Sequence, residues 1–276
     1  NAIIITSSQW SRDGFLRSGA DPDRVAIVPH GVDPDIYKPL SDEEKNDLRC
    51  DLGWENDFIF LNVGNPTRNK GLPFLFKAFA TVVERYPNAK LVLKGVNSLF
   101  PGKDFTAELN KIIGNILTSA EIARIEKRFC YIGTAMSFAE VARLYQAADA
   151  YVSPYIAEGF NLPVLEAIAC GLPVICTKGG STDDFTNADF AWRIDSKLEV
   201  DTEYEEKLLR LIPNIEHLIA LMIEIIDSPS FVAQSRQKGP VFVEHHYTWK
   251  HAVDRLLDLF QATDRITYAN GNSKPN

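Results

Sequence analysis

Residues 153–177 read SPYIAEGFNLPVLEAIACGLPVICT, and this stretch decides the fold. An apolar run at 150–152 leads into it, and a second at 173–176 leaves it after Gly171. Between them Pro163 falls in the first turn of a helix, where its missing N–H costs nothing. The unit therefore reads strand, loop, helix, strand. It carries two carboxylates, Glu158 in the loop and Glu166 inside the helix. Their separation (166 − 158 = 8) would place both on one face of a continuous helix, but Gly159 and Pro163 leave only Glu166 within one. A loop carboxylate and a helical one can converge on a polar, phosphate-bearing ligand. Taken alone, the pair fits equally well an acidic residue answering the helix dipole and a solvated loop side chain.

The same alternation extends outward. Towards the N-terminus, residues 58–63 form an apolar strand that ends in Gly64. The loop Asn65-Pro66-Thr67-Arg68-Asn69-Lys70-Gly71 follows, and then a helix over 72–86 with Leu75, Phe79 and Val82 or Val83 at helical spacing. A glycine-bearing loop with two cations, set between a strand end and a helix start, is a natural anion site. In the bland reading Arg68 and Lys70 are solvated surface cations. Residues 90–95 and 129–132 are further strands, the polar segment 101–128 is helical in two pieces, and Ser137 caps a helix over 138–148.

Nearer the start, strands at 2–6 and 25–28 flank a helical segment at 8–18, the loop Pro29-His30-Gly31-Val32-Asp33 follows, and Ser41 caps a helix over 42–50. Beyond the opening stretch, Gly179-Gly180-Ser181-Thr182 is another loop at a strand end. From 205 onward the pattern is helix-rich: 215–227, 230–244 broken at Gly239-Pro240, and 248–262, with 263–276 a flexible tail. Strands and helices in alternation predict an α/β fold, a Rossmann-like parallel sheet flanked by helices with a helix-rich C-terminus and ligands at the carboxyl ends of the strands.

Composition narrows the function classes. The 276 residues are 45% hydrophobic, enough for a sizeable core, and 29 basic against 37 acidic residues give a net charge of −8 with no basic tract. That balance argues against nucleic-acid binding. No run of apolar residues spans a bilayer and no cationic-then-apolar leader opens the chain, so a soluble, cytoplasmic protein is the expectation. Cys50, Cys130, Cys170 and Cys176 lack metal-ligand spacing and read as reduced core thiols. Asp21-Pro22-Asp23 and Asp33-Pro34-Asp35 read as turn punctuation rather than a metal site, and of the five histidines His30 alone sits in a site-like loop. No GxGxxG follows a strand and no GxxxxGK[ST] occurs, which weakens dehydrogenase and kinase readings. The apolar strand that begins at once after Asn1 reads as entered from upstream, as in a fragment cut at a domain boundary.

Four segments together resemble one family. EGFNLPVLEAIACGLPVICT, with Glu158 and Glu166 framing seven residues, is similar to the E-x7-E signature of retaining glycosyltransferases of the GT-B fold, glycosyltransferase family 4 (glycosyl transferases group 1). VPHGVDPDIYKP resembles that family's PNGVD strand and loop, VGNPTRNKG its VGR…KG phosphate loop, and YQAADAYVSPYIAEGF its YxxADxxxxPSxxEGF run. These cover roughly 28–182 in the family's order.

The resemblance implies one half of a GT-B fold: a C-terminal, nucleotide-sugar-binding domain over 1–262, with 1–40 lying nearest an absent acceptor-binding N-terminal domain. It implies a retaining hexosyltransferase that is inactive as an isolated domain. The donor would be a GDP-, UDP- or ADP-linked sugar, and a glycan, lipid or small-molecule acceptor would be bound through the absent domain. No cofactor and no metal are implied, nor any nucleic-acid partner, and the location is cytoplasmic or peripheral to the inner face of a membrane.

By the same carry-over Glu158 takes the donor sugar's hydroxyls and Glu166 the ribose. Phe160, Asn161 and Leu162 present backbone N–H groups to sugar and phosphate. Lys70 sits on the diphosphate beside Gly64, and Tyr131 and Ile132 border the base. Asn65 stands where the family commonly has Arg after the loop glycine, with Arg68 three residues on as the candidate substitute. Asn161 stands where Gly is usual, and His30 and Tyr155 replace the commoner Asn and Ser. Such a site would stabilise charge on a leaving diphosphate and orient the sugar. Two rivals remain: a non-catalytic sugar-nucleotide-binding or regulatory module of the same fold, and a glycosidic phosphorylase.

Overall fold

A computed structural model describes residues 2–99, 102, 105–201 and 208–271, with side chains through residue 262. In chain order the elements are β1 (Ile4–Thr6), α1 (Gln9–Arg17), β2 (Val25–Ile27), α2 (Asp42–Leu52), β3 (Phe58–Val63), α3 (Leu72–Arg85), β4 (Ala89–Lys94), α4 (Phe105–Ile116), α5 (Ser119–Ile125) and β5 (Phe129–Ile132). There follow α6 (Phe138–Ala147), β6 (Ala150–Ser153), α7 (Leu162–Ala169), β7 (Val174–Thr177), β8 (Ala191–Ile194), β9 (Ser196–Asp201), β10 (Leu208–Pro213), α8 (Ile215–Ile226), α9 (Pro229–His246) and α10 (Trp249–Gly271).

Six strands form one parallel sheet in the order β5-β4-β3-β6-β7-β8. The short apolar runs that flank each glycine-ended loop supply these strands, and burial on both faces explains why they are continuously apolar rather than alternating. One face carries Phe60, Leu91, Leu93, Val152 and Ile175 against α3 and α8, where Leu75, Phe76, Phe79, Leu218 and Met222 are fully covered. The other carries Ile59, Leu61, Val92, Tyr151 and Val174 against α6 and α7. Each such side chain contributes about 1.5–3 kcal/mol by leaving water.

The strand order reverses between β3 and β6. In an open α/β sheet the loops that leave the two strands at that point part and open a crevice. Here those loops are 64–71 and 154–161, the two that hold Lys70 and Glu158.

The α/β sheet expected from the sequence is the one observed. The structure departs from expectation in the last third. A β9–β10 antiparallel hairpin pairs Ser196 with Pro213 through Asp201 with Leu208, in a stretch ahead of the helices expected from 215 to which no strand had been assigned. The expected break at Gly239-Pro240 is absent: α9 runs unbroken through Pro240. Its Ser235, Gly239 and Val243 form a small buried stripe at i, i+4 and i+8, and a Cβ on Gly239 would sit 2.9 Å from the Ile168 carbonyl of α7. That close packing outweighs the hydrogen bond proline forfeits. Helix α10 continues to Gly271, and the rest of the expected tail, 272–276, lies outside the described residues. Of the cysteines, Cys170 and Cys176 are buried, Cys50 is exposed rather than in the core, and all four are free.

Candidate donor site at the strand reversal

Loop 64–71 is shaped by two glycines. Gly71 sits at φ 66°, and a Cβ there would lie 1.8 Å from the Pro154 carbonyl oxygen, so only glycine lets the two crevice loops touch. Gly64 lies under the Lys70 stem, 2.8 Å from Cε to its would-be Cβ. The stem therefore crosses the end of β3, and the ammonium reaches Glu158: Nζ to Oε1 is 2.8 Å, with both side chains largely covered.

Asn69 completes the contact. Its Nδ2 donates to Glu158 Oε1 at 3.1 Å and to the Ala157 carbonyl at 3.2 Å, its carbonyl accepts from Ile156 N–H at 2.8 Å, and Thr67 Oγ1 donates to its Oδ1 at 2.6 Å. Sequence reading passed over Asn69 because an amide between two cations looks like filler. Arg68 goes elsewhere, its NH2 3.3 Å from Asp201 Oδ2 on β9. Asn65 acts locally as well, its Oδ1 accepting from Val96 N–H at 2.6 Å and so fastening the end of β3 to the end of β4.

Helix α7 begins at Asn161, the one non-glycine residue among those described with positive φ (φ 69°, ψ 60°). Asparagine tolerates this left-handed region, and its Nδ2 donates to Ser153 Oγ at 3.0 Å. Its side chain does not cap the helix, and its Oδ1 is buried with no hydrogen-bond partner among the described residues. The N-terminal end of α7, with Phe160, Asn161 and Leu162, thus faces the crevice without a capping side chain. Phe160 is buried between Phe185 and the ring of His30, at centroid distances of 4.7 and 5.1 Å.

One turn inside the helix, Glu166 is 8% exposed, and its Oε2 accepts from the Tyr145 hydroxyl at 2.7 Å. Burial pushes the Glu166 pKa up, although the nearby Tyr145 and Tyr37 hydroxyls act to lower it. Tyr145 is the tyrosine of the YQAAD run, so its position was in view, but its bond to a residue on another helix was not.

On the far side, Tyr131 donates to Asn97 Oδ1 at 2.7 Å, burial raises its pKa, and Ile132 pairs with Lys94 across β5 and β4. Over the mouth, the hydroxyls of Ser8 and Ser11 from α1 and its cap donate to the Gly159 carbonyl at 2.6 and 3.0 Å. An open cleft of about 670 Å³ lies there between α1, the Glu158 loop and the hairpin. The structure thus joins Lys70 to Glu158 just before the start of α7 and buries Glu166 one turn inside that helix. It places Arg68 at the side, and Tyr131 and Ile132 two strands away.

The family of glycosyl transferases group 1 matches residues 44–218. This chain belongs to that family. A D-inositol 3-phosphate glycosyltransferase from Pseudarthrobacter chlorophenolicus is 32% identical over 179 residues, covering 64% of this chain and 40% of that protein. Its namesake from Nocardiopsis dassonvillei is 27% identical over 265 residues, 94% of this chain and 55% of that one. The group 1 chain therefore spans about two-fifths to a little over half the length of these relatives.

Among solved structures, Anabaena HepE in complex with UDP-glucose superposes with a TM-score of 0.74 at 19% identity, over 95% of this chain and 64% of that one. The C-terminal domain of the group 1 protein LpcC from Francisella tularensis superposes at 0.57 and 20% identity, over 79% of this chain and 99% of that domain. At such identities these two establish the Rossmann-like glycosyltransferase fold alone. Among the described residues of this group 1 chain, no helix is long and apolar enough to cross a membrane, and no group of three or more His, Cys, Asp and Glu could hold a metal ion.

Proposed function

We propose that this chain is the donor-binding C-terminal domain of a retaining glycosyltransferase of family 4, taking a hexose from a nucleoside diphosphate sugar. The acceptor, a glycan, lipid or small molecule, would be held by a further domain, and this chain alone would be inactive. The observation that carries the reading is the Lys70–Glu158 pair at the strand reversal, just before an uncapped helix start, with Glu166 buried one turn inside that helix.

In the proposed reaction the bond from the sugar's anomeric carbon to the diphosphate oxygen breaks, the electron pair leaves with the phosphate, the acceptor's hydroxyl oxygen bonds to that carbon, and its proton passes to the departing phosphate. Lys70 Nζ and the N–H groups at 160–162 stabilise that charge, a preorganised arrangement that needs no reorientation as the charge develops. Glu158, released from Lys70 by the incoming phosphate, accepts hydrogen bonds from sugar hydroxyls and supports the cationic ring. Glu166, already dry and fixed by the Tyr145 hydroxyl, accepts from the ribose. Arg68, held by Asp201, adds positive potential at the rim. Metal independence belongs to this proposal, as does a cytoplasmic or membrane-peripheral location.

Titration calorimetry with GDP, UDP and ADP tests the reading. One of them binds, and Glu166→Ala removes the binding; failure of all three, or binding unchanged in the variant, would sink it. Against a purely regulatory module, donor hydrolysis or transfer by the full-length protein is lost in Glu158→Ala and Lys70→Ala.

A further inference from the structure

Lys94 closes β4 and is 2% exposed, yet no ion pair among the described residues includes it. Its ammonium donates to the Thr134 carbonyl at 2.8 Å and to the Gly95 carbonyl, both neutral acceptors in the loops that leave β4 and β5. An ammonium carries three donors. Burial lowers its pKa, so the chain bears a cost for keeping this cation dry. Fastening two loops does not account for that cost, since a neutral amide can reach two carbonyls as well.

Strand alternation fixes the side of the sheet on which Lys94 lies. Leu91 and Leu93 point into the layer beneath α3, whereas Val92 packs with α6 and α7, and strand alternation puts Lys94 on the same side as Val92. That side also holds Glu166 and its partner Tyr145. Ile132, across the ladder from Lys94, and Met136 pack against it and give an apolar flank. The Tyr131 hydroxyl is spent on Asn97, and Asn65 Oδ1 on Val96 N–H. With the phosphates and ribose where the proposed function puts them, the base would extend towards the ends of β4 and β5, where Lys94 offers a donor rather than an acceptor.

We infer that Lys94 selects the donor's base, hydrogen-bonding the ring carbonyl of uracil or guanine and rejecting cytosine and adenine, which carry an amino group at that position. This rests on the donor-site reading above. A charge-assisted hydrogen bond of the ordinary strength corresponds to about tenfold or more in affinity.

The test is calorimetry with UDP, CDP, GDP, ADP and inorganic pyrophosphate on the wild type and on Lys94→Met. The wild type binds UDP over CDP, or GDP over ADP, by about tenfold or more. In Lys94→Met that preference falls within about threefold while pyrophosphate affinity is unchanged. Equal binding within both wild-type pairs overturns the assignment, and that comparison stands even where the variant fails to fold. A variant that keeps the preference, or that weakens every probe by the same factor as a structural residue would, overturns it too. Pyrophosphate binding without base preference removes Lys94 alone; no binding of any probe removes the donor site as well.

Discussion

Lys70, the cation proposed for the diphosphate, is paired with Glu158. Lys70 Nζ lies 2.8 Å from Glu158 Oε1, a gross attraction of about 6 kcal/mol at an effective dielectric constant of about 20, most of it offset by desolvation. The net worth of one charge-assisted hydrogen bond is about 1.5–3 kcal/mol. Replacing Lys70 with Met forfeits that contact to phosphate and leaves the Glu158 carboxylate facing the diphosphate. The loss in UDP or GDP affinity should then reach the upper part of about 10–150-fold.

Glu158→Gln acts in the opposite sense on the same ligand. It frees Lys70 while Asn69 can still hold the side-chain oxygen, so the sugarless nucleotide binds as well as before or up to about tenfold tighter. The same variant loses whatever advantage a nucleotide sugar has over the bare nucleotide. Calorimetry on both variants, with circular dichroism to show that they fold, reads these two effects separately. The reasoning is refuted if Glu158→Gln weakens the sugarless nucleotide as much as Lys70→Met does, because Glu158 would then be part of the phosphate site rather than its gate.

Two further outcomes follow from single residues. The Glu166 pKa is raised by burial, so the stability tied to its neutral form is complete below the ordinary carboxylate range and is lost as pH rises through the raised value. Glu166→Gln should therefore melt with the wild type near pH 4 and several degrees above it near pH 8, read by calorimetric Tm; a gap that narrows with pH would contradict the burial argument. Asn161→Ala meets a left-handed backbone that costs an alanine roughly 1–2 kcal/mol and loses the bond to Ser153, about 1 kcal/mol more. Urea unfolding should show about 2–3 kcal/mol lost, with Asn161→Gly losing only the smaller part.

The body of the fold was legible because each buried strand is a short apolar run ended by a loop residue, and each helix between them is long enough to show its period. The β9–β10 hairpin was not, since Leu198, Val200 and Leu208 are exposed and β9 alternates Leu198 and Val200 with charged residues, leaving only Leu211 and Pro213 of β10 to mark a covered side. Pro240 misled in the other direction: its effect is local, whereas the packing of Gly239 against α7 joins segments some seventy residues apart.

At the site, sequence picked out Lys70, Glu158 and Glu166 but not their partners. Asn69 on Glu158, Tyr145 on Glu166, and the serines on Gly159 are contacts between separate elements, invisible to spacing. Arg68 and Lys70 illustrate the limit. Two cations one residue apart in one loop turn to different acids, one to Asp201 and one to Glu158, and only the fold separates them.

The most direct measurement is a crystal structure of this chain with a bound nucleoside diphosphate. The account predicts a phosphate oxygen about 3 Å from Lys70 Nζ and from an N–H at the start of α7, with a ribose hydroxyl on Glu166 and Glu158 turned away from Lys70. A nucleotide seated elsewhere, with the Lys70–Glu158 pair intact, would contradict it.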